Sequence, residues 1–222
     1  MRRLLLSVAL ALLATPAAAQ GWDLSAVVRG ESDHVDRGLT LSGSDPAATA
    51  TLYLDHESGL YGSLSLSRVN DRRGNDGRVE GVVGHRFALG AYTLDLSAAV
   101  DGFFGADGYL YPEFQARISR DLGLFYAAGG IAYAPDGRWF LRNRASVYGW
   151  LETEVPVPRL AWLAATAHVG RESLAGARDR TDWGLGLVAS HDRFDVSLAY
   201  EDSNARLRIG RARVVVALSL YF

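Results

Sequence analysis

Along most of this chain, apolar and polar residues alternate one by one. The clearest run is the last, Arg211-Ala-Arg-Val-Val-Val-Ala-Leu-Ser-Leu-Tyr-Phe222. Val214, Val216, Leu218, Leu220 and Phe222 share one face of a strand, while Arg213, Ala217, Ser219 and Tyr221 share the other. The same period places Tyr92, Leu94, Leu96, Ala98 and Val100 on one face, and Phe194, Val196, Leu198 and Tyr200 on another. Leu60, Leu64 and Leu66 repeat the pattern. It predicts strands at 22–30, 47–55, 59–68, 78–88, 91–101, 109–120, 122–133, 144–155, 160–170, 181–190, 193–201 and 211–222. Most have the length of a tilted strand that crosses a hydrocarbon layer. Segment 122–133 is apolar or small on both faces, so its register stays open.

The connections alternate in length. Those at 31–46, 69–77, 102–108, 134–143, 171–180 and 202–210 are long, and those at 56–58, 89–90, 121, 156–159 and 191–192 are short. Long outer loops and short periplasmic turns are the rule for transmembrane barrels. An open sheet would leave edge groups unsatisfied in lipid. The expected fold is therefore all-β: an antiparallel up-and-down transmembrane barrel of twelve strands. Trp22, Phe87, Tyr92, Tyr109, Trp162, Trp183, Phe194, Tyr200 and Phe222 fall near strand ends, as two interfacial girdles would require.

The first residues read differently. Arg2 and Arg3 precede an apolar core, Leu4 to Leu13, and Ala17-Ala18-Ala19 offers a cleavage site. That core is too short to span a bilayer. The expected division is a signal peptide over 1–19 and a barrel over 20–222, exported to the outer membrane of a Gram-negative bacterium. A final strand ending on Phe222 is the expected handle for the barrel-assembly machinery.

Composition narrows the classes. Cysteine is absent, which excludes a lipoprotein anchor, disulfides and thiolate metal sites. All 23 basic residues are arginine, and the net charge is −2, so no nucleic-acid partner is expected. Neither a cofactor nor a metal is expected: loop 31–46 holds Glu31, Asp33, His34, Asp36 and Asp45, but their spacing matches no calcium loop.

The candidate chemistry lies on the inward face, which carries charge of both signs. Arg86, Asp95, Ser97, Glu113, Gln115, Arg117, Tyr148 and Glu152 are expected to line the lumen. Counting from the connections puts Asp95 beside Gln115 and diagonal to Arg117 and Arg86. Two readings stand: a narrow polar pore with crossed fields, or a charge-paired plug in a closed barrel. Strand count does not choose between them. The first long connection is expected to fold into the mouth through Asp33, Asp36 and Arg37. Arginines at 72, 73, 138, 142, 144, 178, 180, 206 and 208 give the outer loops a solvated surface, with phosphate-rich lipopolysaccharide as the alternative partner. A lipid hydrolase on the barrel wall would need a Ser–His pair. Only His85 is expected to face lipid, beside Leu64 and Leu66, with Ser63, Ser65 and Ser67 turned inward. No enzyme is expected.

The stretch Ser32-Asp-His-Val-Asp-Arg-Gly-Leu-Thr-Leu-Ser42 resembles the TorF-type family of Gram-negative porins. The likeness continues through Pro46, Ala47, His56, Ser58, Gly59, Tyr61 and Gly62 and covers about 40 residues. His34 stands where that family carries Tyr, and Leu64 to Val69 lacks its Trp and Asn. The resemblance implies an exported barrel and suggests transport of small polar solutes or ions across outer-membrane lipid.

Overall fold

A computed structural model of the chain describes residues 21–139 and 141–222, so the expected signal peptide lies outside the described residues. Within them, twelve strands close into one antiparallel barrel. They are β1 (Trp22–Glu31), β2 (Ala47–His56), β3 (Leu60–Arg68), β4 (Asn75–Leu89), β5 (Tyr92–Gly105), β6 (Tyr109–Asp121), β7 (Tyr126–Ala134), β8 (Ser146–Pro156), β9 (Leu163–Leu174), β10 (Arg180–His191), β11 (Phe194–Ser203) and β12 (Arg213–Tyr221). Each pairs with the next in sequence, and β12 returns to β1 from Val27↔Tyr221 to Glu31↔Ala217. Closure leaves no strand edge unpaired, which is what a sheet in hydrocarbon requires.

The pleat sorts the side chains. Leu24, Leu64, Val83, Leu96, Ile118 and Leu185 point outward and remain exposed. On a water-soluble protein such a surface would promote aggregation. As a band around a closed barrel it matches a lipid layer. At the end of the short turns, Phe87, Tyr92, Trp162, Phe194 and Phe222 stay exposed; at the loop end, Trp183 and Tyr200 do. Tyr109 departs from the predicted girdle. It shares the inward face of Tyr111, stacks on that ring at 5.6 Å, and donates to the Asp136 carbonyl at 2.6 Å.

Some boundaries move. β7 starts at Tyr126, because Asp121 accepts from the Gly123 amide and Leu122 closes a turn on the Phe125 carbonyl. That fixes the open register: Tyr126, Ala128, Gly130 and Ala132 face inward, opposite Glu154, Glu152, Trp150 and Tyr148. β5 runs to Gly105, so its loop shrinks to 106–108. The turn after β8 becomes 157–162, because the Leu160 amide folds back onto the Val157 carbonyl and the Leu163 amide onto that of Leu160. Loop and turn lengths therefore do not alternate strictly. β2 and β10 extend to His56 and His191, which puts both histidines on the outward face with His85, against expectation.

The main apolar cluster lies inside the barrel mouth. Leu39 and Leu41 from connection 32–46 pack with Val69, Phe103, Tyr111, Trp139 and Ile209. The core of this protein is thus a stopper of loop residues packed on Phe103 of β5 and Tyr111 of β6 inside the wall.

Candidate functional site: the stoppered lumen

The stopper begins with a short hairpin. Val35–Asp36 pairs with Leu39–Thr40, and its tip holds Arg37 (φ 48°) and Gly38 (φ 72°) in the left-handed region. Glycine adopts this freely, whereas arginine pays a steric cost that the surroundings must offset. A Cβ on Gly38 would stand 2.7 Å from that of Asp182 and 2.9 Å from that of Ser203, so the tip is pressed against β10 and β11. Asp33 secures the hairpin base. Its carboxylate accepts from the Thr40 and Ser42 hydroxyls and pairs with Arg213 Nη1 on β12 at 2.7 Å.

Below the tip lies a buried layer of charge. Arg37 Nη2 donates to Glu113 Oε1 at 2.6 Å, its Nη1 is 3.9 Å from Glu172, and its guanidinium sits 4.2 Å over the Tyr148 ring. Arg138 enters from a second loop hairpin. It donates to Asp36 and to Glu172 (3.2 Å), and its Nε is 3.6 Å from Glu113. Glu172 also takes Arg180 and the Ser146 hydroxyl. Arg78 grips Asp101 through Nε (2.8 Å) and Nη2 (2.6 Å), and Tyr111 donates to the same carboxylate. Buried charges persist only when paired in this way. Burial pushes the Asp36 carboxyl up, but the guanidiniums of Arg138 and Arg37 pull it down further, well below the ordinary carboxylate range. Its stabilising effect is therefore fully present above the unfolded value near 3.9 and is lost progressively as pH falls from there through the lower folded value.

Toward the turn end the lumen is wetter. Arg86 and Glu152 have side chains 46% and 37% exposed, against 5% for Arg138 and 2% for Glu172. Asp95 lies directly opposite both Arg86 and Arg117, not diagonal to them, because the turn is Gly90–Ala91 and β5 pairs on to Phe103↔Tyr109. The expected carboxylate bridging two guanidiniums is absent. Arg86 stacks on Tyr61 at 4.1 Å and takes Asp55 (2.6 Å) and Asp95 (3.7 Å), while Tyr61 donates to Asp95 at 2.7 Å. Arg117 turns away to Glu152 and the Tyr126 hydroxyl. Ser97 faces inward between Gly84 and Gln115, and Gln115 donates to Glu113 at 2.8 Å.

Two rings lie flat on the wall between these layers. Tyr148 and Trp150 are 5.6 Å apart and 15° from parallel. Tyr148 lies across Gly170 and reaches Asp182 at 3.0 Å, and Trp150 lies across Gly130. A Cβ at Gly170 would meet the Tyr148 hydroxyl at 2.0 Å. Gly170→Val is therefore expected to evict the ring and cost about 1–3 kcal/mol; an unchanged denaturation midpoint would show that the ring accommodates it. A cavity of about 200 Å³ opens beside the rings, lined by Arg37, Gln115, Tyr148, Trp150, Glu152 and His168. A second, of about 110 Å³, lies within the buried charge layer and shares Arg37 and Gln115 with the first.

A bacterial protein family of unknown function, Gcw_chp, matches residues 15–218. The chain belongs to this family. No curated protein matches it. Among solved structures, the Gcw_chp chain is similar to NanC porin, with a TM-score of 0.61 at 10% identity over 89% of this chain and 98% of that one. It is similar to KdgM porin with a TM-score of 0.58 at 9% identity, over 89% and 99%. KdgM porin is also known in complex with disordered oligogalacturonate. At such identities the likeness shows the barrel fold.

Every expected lumen residue of this Gcw_chp barrel faces inward, but they divide between two layers. Glu113 and Tyr148 belong to the buried one, which Asp36 and Arg37 of the mouth loop also enter; Arg86, Asp95, Arg117 and Glu152 belong to the wetter one, and Ser97 and Gln115 lie between. Sequence reasoning missed Arg138, Glu172, Arg180, Asp182, Trp150 and His168. Arg138 and Arg180, expected on the loop surface, are buried in the charge layer. Parity would have found Arg180 and Asp182, because Trp183, Leu185 and Leu187 already fix the outward face. Arg138 left no such signal, since a loop has no period.

Proposed function

We propose that this protein is a narrow outer-membrane channel for small polar solutes or ions, and that loop 32–46 stops its mouth in the present conformation. The observation that carries this reading is a closed barrel with an apolar outer band and a charged lumen that becomes wetter away from Arg37. The TorF-type resemblance and the porin neighbours support it. In this reading residues 1–19 direct export, the short turns face the periplasm, the last strand engages the assembly machinery, and arginines on the loops contact lipopolysaccharide phosphate.

The test is planar-bilayer recording of refolded residues 20–222 under a salt gradient. Discrete conductance steps are expected. Glu152→Lys should shift the reversal potential toward anion preference, because it reverses a charge in the wet part of the path. A folded barrel that never conducts would support the second reading, a stoppered structural barrel, which the buried charge layer favours.

A further inference from the structure

Three features of the lumen single out the 200 Å³ cavity beside Trp150. The first is size. The cavity is smaller than the roughly 300–1,000 Å³ of sites for drug-sized ligands, so it suits one ring rather than a chain. The second is a rigid platform. Trp150 and Tyr148 lie nearly parallel, 15° apart, and the absence of a Cβ at Gly130 and Gly170 leaves their ring tips room against the wall. Arg37 already covers the Tyr148 ring at 4.2 Å, which leaves Trp150 as the platform for a ligand.

The third is a rim of mixed donors and acceptors whose charges are already matched. Gln115 uses its amide nitrogen on Glu113, and its carbonyl oxygen remains an acceptor. Arg117 occupies only Oε1 of Glu152. His168 directs Nε2 toward Glu201 at 3.4 Å. Arg37 pairs with Glu113 and lies 3.9 Å from Glu172, carboxylates it shares with Arg138 and Arg180, and Glu152 pairs with Arg117. An ionic ligand would thus have to displace a partner. A planar hydrocarbon would leave the rim without hydrogen bonds. A polyol both donates and accepts through each hydroxyl, and axial C–H groups of a pyranose suit the negative face of an indole.

We propose that this cavity binds a single neutral pyranose, stacked by its axial C–H face on Trp150 and hydrogen-bonded by Gln115, Glu152 and His168. The assignment rests on the lumen being a solute path and names the class of solute it takes.

Saturation-transfer difference NMR on the refolded barrel in detergent, with methyl β-D-glucopyranoside as probe, tests it. Transfer strongest at the axial ring protons is expected. Trp150→Ala should weaken binding roughly tenfold, the size of one lost aromatic contact, while Trp150→Phe keeps most of it. Glu152→Ala, which leaves the platform intact, should also weaken it. Heat-modifiable gel mobility establishes that each variant is folded. Absence of transfer from the intact barrel, or undiminished transfer in folded Trp150→Ala, overturns the site. Stronger transfer to glucuronate or choline overturns the neutral assignment. Bilayer recording separates the two ideas: a conducting barrel without transfer loses the site and keeps the channel, and a silent barrel with transfer does the reverse.

Discussion

Replacing residues 34–41 with a short Gly–Ser linker is expected to raise single-channel conductance several-fold over the intact chain. The hairpin in that segment supplies Leu39 and Leu41, which are 1% and 0% exposed at the centre of the stopper. It also supplies Asp36 and Arg37, which join the charge layer to the loops. An ion crosses a lumen only along a hydrated path, and an apolar cluster in the mouth narrows that path. Arg37→Ala alone should have a smaller effect. It uncovers Tyr148 and joins the two cavities that Arg37 now borders, but the apolar cluster remains. Equal conductance in the intact and linker proteins would mean that the hairpin does not obstruct flow.

Glu172→Ala is expected to destabilise the barrel by about 3–5 kcal/mol, the usual result of deleting one partner from a buried ion pair. Glu172 is 2% exposed and serves Arg138, Arg180 and Ser146 directly, with Arg37 within 3.9 Å. Its loss leaves buried guanidiniums facing one another. Glu172→Gln should cost less, because the amide oxygen still accepts from Ser146 and one arginine. Urea unfolding of the refolded variants in detergent measures both. A midpoint for Glu172→Ala equal to that of the parent would show that water enters the layer and solvates the arginines.

The wall was legible in the sequence because a strand has a fixed period and hydrocarbon on one side. Val214, Val216 and Leu218 could face only one way, and that parity carried every expected lumen residue to the inside. Pairing was less legible. Asp95 stands opposite Arg117 in the ladder because β5 and β6 extend their pairing into a segment that looked like loop. A shift of two residues preserves the face and changes the neighbour, so alternation is blind to it. The stopper was least legible. Its apolar residues, Leu39, Leu41, Val69, Trp139 and Ile209, come from separate connections with no shared repeat. Only the charged tip of the first loop, Asp36 and Arg37, gave a sign that it turns inward.

The salt bridge from Asp33 to Arg213 has a consequence for how the molecule comes apart. β1 and β12 pair from Val27 to Glu31; Ala26 and Phe222 continue the ladder at one end through two backbone hydrogen bonds, and at the other Ser32 donates its amide to the Val216 carbonyl at 2.9 Å. Asp33, next in the chain, then fastens the first loop to β12. The zip of the cylinder and the root of its cork therefore share the same few residues. Pulling the cork strains the zip, and parting the zip frees the cork, so the two should melt as one cooperative unit.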